Sequence, residues 1–182
     1  MAFVGTSSFV RGGRVSGDGR RARGRRPVAV RMSNVLIVNT GGGGHASIGL
    51  YLARILREKQ HSVSIFNDGD ATKTAAKDPF IGYSALDKVP VKWGDSKASG
   101  AIADAFGDEK FDVLVENNAK TVEAIQPTVD YAASTGVSQF LYVSSAGLYE
   151  RSDEVPLVEG DAEKASAGHV GVEALLKSQK AP

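Results

Sequence analysis

The sequence predicts an α/β fold, a doubly wound sheet of parallel strands with helices on both faces. Three observations predict it. Val35-Leu36-Ile37-Val38 is a short apolar run closed by glycines, as expected of a strand covered on both sides. The run continues through Asn39-Thr40 into Gly41-Gly42-Gly43-Gly44-His45-Ala46-Ser47-Ile48-Gly49, and from there Ile48, Leu52, Ile55 and Leu56 recur at helical spacing. Downstream, strand-like segments keep alternating with helical ones, the signature of consecutive strand-helix units.

The remaining elements follow in order. Val63-Ser64-Ile65-Phe66 is expected as strand two, Val89-Pro90-Val91-Lys92-Trp93 as strand three, Val113-Leu114-Val115 as strand four and Phe140-Leu141-Tyr142-Val143 as strand five. Helical periodicity covers 98–106 and 121–134, the second through Val122, Ile125, Val129 and Ala132, and returns over 165–177. Right-handed crossovers then give a Rossmann-like sheet ordered 3-2-1-4-5. Pro90 has no amide to donate, which suits the edge position of strand three. Two segments read as loops, 67–87 and the acidic 151–160, the first longer than an ordinary connection. With no strand after the last helix, the fold is expected to be truncated on its C-terminal side.

Composition separates the chain into two parts. Of its 182 residues, 1–32 hold eight arginines (11, 14, 20, 21, 23, 25, 26 and 31) against one acid, Asp18, among serines and glycines. An Arg- and Ser-rich, acid-poor N-terminus is expected of an organelle transit peptide, whereas a secretory signal needs a longer apolar block than Phe9-Val10 or Val28-Ala29-Val30. A basic arm for nucleic acid or membrane is the competing reading. Residues 33–182, the expected folded domain, carry 14 Lys and Arg against 20 Asp and Glu, six negative charges in excess. That excess argues against a broad phosphate-binding face and leaves room for a local patch. No cysteine is present, which excludes disulfides and thiolate metal sites, and no apolar run is long enough to insert in a bilayer.

The glycine turn is the first candidate site. A bare backbone lets a pyrophosphate approach while the first amides of the following helix point at its charge. Gly41, Gly43, Gly44, His45, Ile48 and Gly49 are the candidate cofactor contacts, and an empty strand-to-helix turn is the alternative. The spacing departs from the usual fingerprint: read from Gly43, Ala46 stands in the middle glycine's place. An acid at the end of strand two ordinarily grips the adenosine ribose; here that position holds Asn67, with Asp68 next. NAD, NADP and no cofactor all stay open.

Strand five runs into Ser144-Ser145-Ala146-Gly147-Leu148-Tyr149, and from 34 to 178 the chain resembles the extended short-chain dehydrogenase/reductase superfamily. The resemblance implies that Ser145, with Tyr149 four residues on, orients a substrate carbonyl. It also implies that Asp95, in Gly94-Asp95, contacts adenine and that Asn118, in Asn117-Asn118-Ala119, lies beside the adenosine. Each has a plainer alternative, since serine, aspartate and asparagine commonly cap helices and turns. The catalytic pair departs from the superfamily: aligned on Glu173, the proton-donating tyrosine is Ala165 and its lysine is His169. Alanine has no proton to give. His169 then reads as a solvated helix residue, and Arg54 and Arg57 as solvated helix charges.

Within that superfamily, the blocks Gly42-Gly43-Gly44-His45-Ala46-Ser47-Ile48-Gly49, Trp93-Gly94-Asp95, Phe111-Asp112-Val113, Val158-Glu159-Gly160-Asp161-Ala162 and Ala167-Gly168-His169-Val170-Gly171-Val172-Glu173 resemble the chloroplast stem-loop-binding proteins. That resemblance covers the N-terminal part of the family. It implies a stromal chloroplast protein that binds RNA, associates with ribosomes and transcripts, and cleaves RNA with a divalent metal whose ligands no motif here identifies; a homo- or hetero-oligomer stays open. An NAD(P)-dependent epimerase, dehydratase or reductase is the enzyme alternative, and a nucleotide-sensing scaffold subunit is the third. Because the composition changes from arginine-rich to apolar near Arg31–Asn34, processing is expected there. Sequencing the N-terminus of the protein after import into plastids tests it, and recovery of an intact Met1 would remove the leader assignment.

Overall fold

The computed structural model describes residues 4–5, 32–41, 44–151, 153, 156–158 and 160–179. Its strands are β1 (Val4–Gly5), β2 (Asn34–Asn39), β3 (Ser62–Asp68), β4 (Val91–Gly94), β5 (Val113–Asn117) and β6 (Gln139–Val143). Its α-helices are α1 (Gly44–Glu58), α2 (Ala71–Thr74), α3 (Ala101–Phe106), α4 (Val122–Thr135) and α5 (Gly168–Ser178). The sheet runs β1-β6-β5-β2-β3-β4, so the strands from β2 onward are parallel and lie in the expected 3-2-1-4-5 order. No periodicity announces β1, which pairs antiparallel with β6, Val4 opposite Val143, inside the segment read as a leader. The rest of that segment, except Met32, lies outside the described residues.

Strand β2 alternates between two cores. Val35 and Ile37 pack with Leu50 and Ala53 of α1 and with Phe80 and Tyr83, whereas Leu36 and Val38 pack with Phe66, Ile102, Leu114 and Tyr131 on the opposite face. Both sets are buried, which is why the strand reads as an unbroken apolar run. A third cluster joins Ile125 and Val129 of α4 to Tyr142 and to Val172 of α5. Thr121 caps α4 by accepting from the Ala124 N–H at 3.3 Å, and Gly136 closes it at φ +72°.

Several boundaries differ from the sequence expectation, each for a local reason. Helix α3 starts at Ala101 rather than 98, because Gly100 precedes it at φ +82° and a left-handed residue cannot continue a helix backward. Helix α5 starts at Gly168 rather than 165. The Lys164 N–H donates to Leu148 O at 2.7 Å, Glu163 bridges Tyr149, and the Ala167 N–H closes a turn on Lys164 O at 2.9 Å, which keeps that stretch out of the helix. Strand β4 begins at Val91, with Pro90 just outside it accepting from the Ile65 N–H. Ile55 faces solvent rather than the core. The 67–87 segment is more ordered than a loop: it ends β3, forms α2, and makes a 3-10 helix (Phe80–Ala85) that places Phe80 and Tyr83 in the core.

One carboxyl lies wholly inside this scaffold. Glu116, on β5, is fully buried and accepts from the Ala119 N–H at 3.2 Å. Burial pushes its pKa up to about 8; the Thr40 and Thr128 hydroxyls and the Ala119 N–H oppose that rise, and the charge of Asp68 adds to it. A folded-state pKa above the unfolded value means that the folded state holds a proton that the unfolded state has released. Stability therefore falls as pH rises from about 5 to 8, by up to about 1.4 kcal/mol per pH unit. Glu116→Gln is expected to flatten that dependence, so that its stability relative to the parent grows between pH 5.5 and pH 8 in urea unfolding. Parallel curves for the two proteins would contradict a neutral Glu116.

Candidate functional site

The C-terminal ends of β2, β3 and β5 meet beneath the glycine turn, and three asparagines fill the space. Asn39 Nδ2 donates to Asn67 Oδ1 at 2.7 Å and to Tyr83 Oη at 2.8 Å; Asn117 Nδ2 donates to Asn39 Oδ1 at 2.7 Å and to His45 O at 2.6 Å. Tyr83 Oη in turn donates to Ala46 O. Burial raises the pKa of that phenol, which keeps it a donor at any ordinary pH. All three asparagines are essentially inaccessible to solvent.

This network surrounds several candidates. Asn67 is buried, and its Oδ1 accepts from Asn39. Asp68 instead faces the turn: its Oδ2 accepts from the Gly41 N–H at 3.3 Å and its Oδ1 from the Ser96 N–H and hydroxyl at 3.0 Å. Gly41 sits at φ +83°, and Gly44 opens α1. Gly42 and Gly43 lie outside the described residues. Ile48, on α1, packs against the core. Gly49 is needed for close packing, since a Cβ there would overlap Asn39 Oδ1 and stand 2.8 Å from Tyr83 Oη.

The other candidates divide in the same way. Asp95 accepts from the Lys97 N–H at 3.0 Å, the plain turn-capping role. Ser145 caps the short 3-10 helix (Ala146–Leu148) through the Gly147 N–H. Its neighbour Ser144 is the buried one, donating to Glu173 Oε1 at 2.7 Å, while Lys177 pairs with Glu173 Oε2 at 3.3 Å. Tyr149 bridges Glu163 through its backbone. Ala165 is exposed and lies ahead of α5. Arg54 stands over the Tyr51 ring at 5.7 Å, on the solvent side of α1.

His169 departs from its expected place in solvent. It is half-buried at the start of α5, with Nε2 3.3 Å from Asn118 Nδ2, and Asn118 holds the left-handed conformation at φ +76°. Burial lowers the His169 pKa, followed by the charge of Lys120 and then of His45, while Glu173 opposes them. His45 is lowered by burial and then by Lys120. Lys120 lies in the same short segment as Asn117 and Asn118, and its carbonyl presses on Gly168, where any Cβ would overlap it. Sequence reasoning misses Lys120, Tyr83 and the Ser144–Glu173 pair. The phase of Phe80, Tyr83 and Leu86 was a usable signal for Tyr83; nothing in the sequence brings Lys120 to His169.

Among the described residues, no group of three His, Cys, Asp or Glu side chains is placed to hold a metal ion. No helix among them is long and apolar enough to cross a membrane.

No protein-family model matches the chain. The chloroplast stem-loop binding protein of 41 kDa b from Arabidopsis thaliana is 32% identical over 145 residues, covering 75% of this chain. This match supports the chloroplast stem-loop binding protein family for the chain. It spans 37% of that relative's length, and the relative's chloroplastic description agrees with the plastid localisation read from the sequence. Among solved structures, Pal from Bacillus thuringiensis superposes with a TM-score of 0.52 at 17% identity, over 81% of this chain and 53% of that one, a likeness of fold.

The packing at Gly49 generates a direct test. Gly49→Ala is expected to destabilise the protein by about 1–3 kcal/mol, because the methyl group must displace Asn39 or Tyr83 from their shared bonds. Urea unfolding measures it, and unchanged stability would show that the helix has room to move.

Proposed function

We propose that the chain is an RNA-binding plastid protein built on a dinucleotide-binding scaffold that has lost its oxidoreductase chemistry. Kinship carries the reading: a relative named for stem-loop binding matches three quarters of the chain. The site supports it. Where a reductase of this scaffold needs a tyrosine, the chain has the exposed Ala165, and where it needs a lysine, His169. The ribose-gripping position is the buried Asn67. Ribosome and transcript association, oligomerisation and RNA cleavage belong to the same proposal at the level of the full-length family protein.

A second reading, a nucleotide-sensing scaffold, is favoured by one observation. Strand β2 leads through Gly41 to a helix that opens at Gly44, and Gly49 lets that helix pack closely on Asn39, the order of elements that a pyrophosphate of NAD or NADP uses. Calorimetry with either dinucleotide separates the two readings, and hydride transfer on a sugar-nucleotide panel would support the epimerase or reductase alternative instead.

The excess negative charge of 33–182 opposes a polyanion, so RNA is expected to be held through few phosphates. Each neutralised phosphate adds roughly 0.7–0.9 to the slope of log affinity against log salt, and one or two contacts give a slope below about two in magnitude. Titrating residues 33–182 with labelled stem-loop RNA at several salt concentrations measures it. A steep slope with tight binding would mean that a broad basic face exists.

A further inference from the structure

We infer that His45, Lys120 and His169 form one binding site for a phosphodiester of RNA, closed on its protein side by Asn118. The inference rests on the RNA-binding reading above and names the groups that would carry it.

The geometry comes from three elements that converge on one short segment. Asn117, at the end of β5, holds the His45 carbonyl at 2.6 Å at the start of α1. Asn118, the next residue, meets the His169 ring at 3.3 Å at the start of α5. The Lys120 carbonyl presses on Gly168, so α5 cannot retreat without opening a gap. The chain has three histidines, and two of them are brought here. The Lys120 side chain is exposed and both imidazoles are half-buried, so the charges remain reachable by a ligand.

Burial favours the neutral form of both imidazoles, the charge of Lys120 adds to it at both, and the charge of His45 adds further at His169. Nearby negative charge offsets little of this. Glu173 faces His169, but one of its oxygens accepts from Ser144 and the other pairs with Lys177. An anion bound among the three would offset those charges and restore protons to the imidazoles. Nδ1 of His45 and Oδ1 of Asn118 are buried without a hydrogen-bond partner in the protein, two unsatisfied polar groups at the same junction. A dinucleotide fits less well, since Asp68 occupies the Gly41 N–H and Asn67 is buried.

The test uses the full chain and the three histidine Cε1–H resonances, titrated with pH in the absence and presence of a uridine dinucleotide carrying one internal phosphodiester. His45 and His169 should shift on addition, with titration midpoints moved upward, and binding should weaken as pH rises through those midpoints. His61 is the internal reference, because its Nδ1 accepts from the Ser33 N–H at the other end of the sheet. Shifts absent from both His45 and His169, or equal at His61, would overturn the site, as would a stronger response to NAD than to the dinucleotide.

Lys120→Gln should weaken stem-loop RNA on the order of tenfold, the loss of one charge-assisted hydrogen bond. Lys59→Gln, the same charge change on the exposed far end of α1, should leave binding within about twofold. An equal loss in both variants overturns the inference in favour of net charge. Unchanged RNA affinity in Lys120→Gln overturns it while the RNA-binding reading stands. Histidine shifts with the dinucleotide but no binding of stem-loop RNA would keep the phosphate site and remove the RNA reading.

Discussion

The Asn39 side-chain amide is the constraint on which the functional end of this protein depends. A single planar group donates to Asn67 on β3 and to Tyr83 in the following 3-10 helix, and accepts from Asn117 on β5. It therefore fixes the ends of three neighbouring strands and the segment that covers them. A buried amide must find partners for its donors and its acceptor, because leaving one unmade costs about 1–3 kcal/mol. Satisfied together, they hold the turn and α1 at one height above the sheet, and Gly49 is small because Asn39 and Tyr83 occupy the space beside it.

The same network changes what the scaffold can bind. In a dinucleotide enzyme the end of the second parallel strand presents an acid to the ribose. Here the position points inward, and the acid one residue later ties the glycine turn to Ser96. The turn is thus braced by the protein's own carboxylate, while the basic groups gather on the other side, where β5 meets α1 and α5. There the Asn118 side chain meets the His169 ring.

Electrostatics inside and outside the domain follow one logic. Glu116 is tolerated in the interior because it can stay protonated, with the Ala119 N–H and the Thr40 and Thr128 hydroxyls around it. The histidines respond in the opposite sense, since burial and Lys120 favour their neutral forms.

The strand order, the two-faced burial of β2 and the glycine turn were legible because each is a local pattern: apolar run, turn residues, helical spacing. Helix starts were less so. Gly100 and the Tyr149–Glu163 bridge decide them, the first through a backbone conformation and the second through a pairing that periodicity does not encode. The site itself belonged to tertiary structure. Asn67 reads as a surface ligand until three strands place it against Asn39, and His169 reads as a solvated residue until Gly168 lets α5 close on Lys120. Residues 45, 120 and 169 are far apart in the chain, and the packing of α5 on the β5–α4 turn is what brings their charges together.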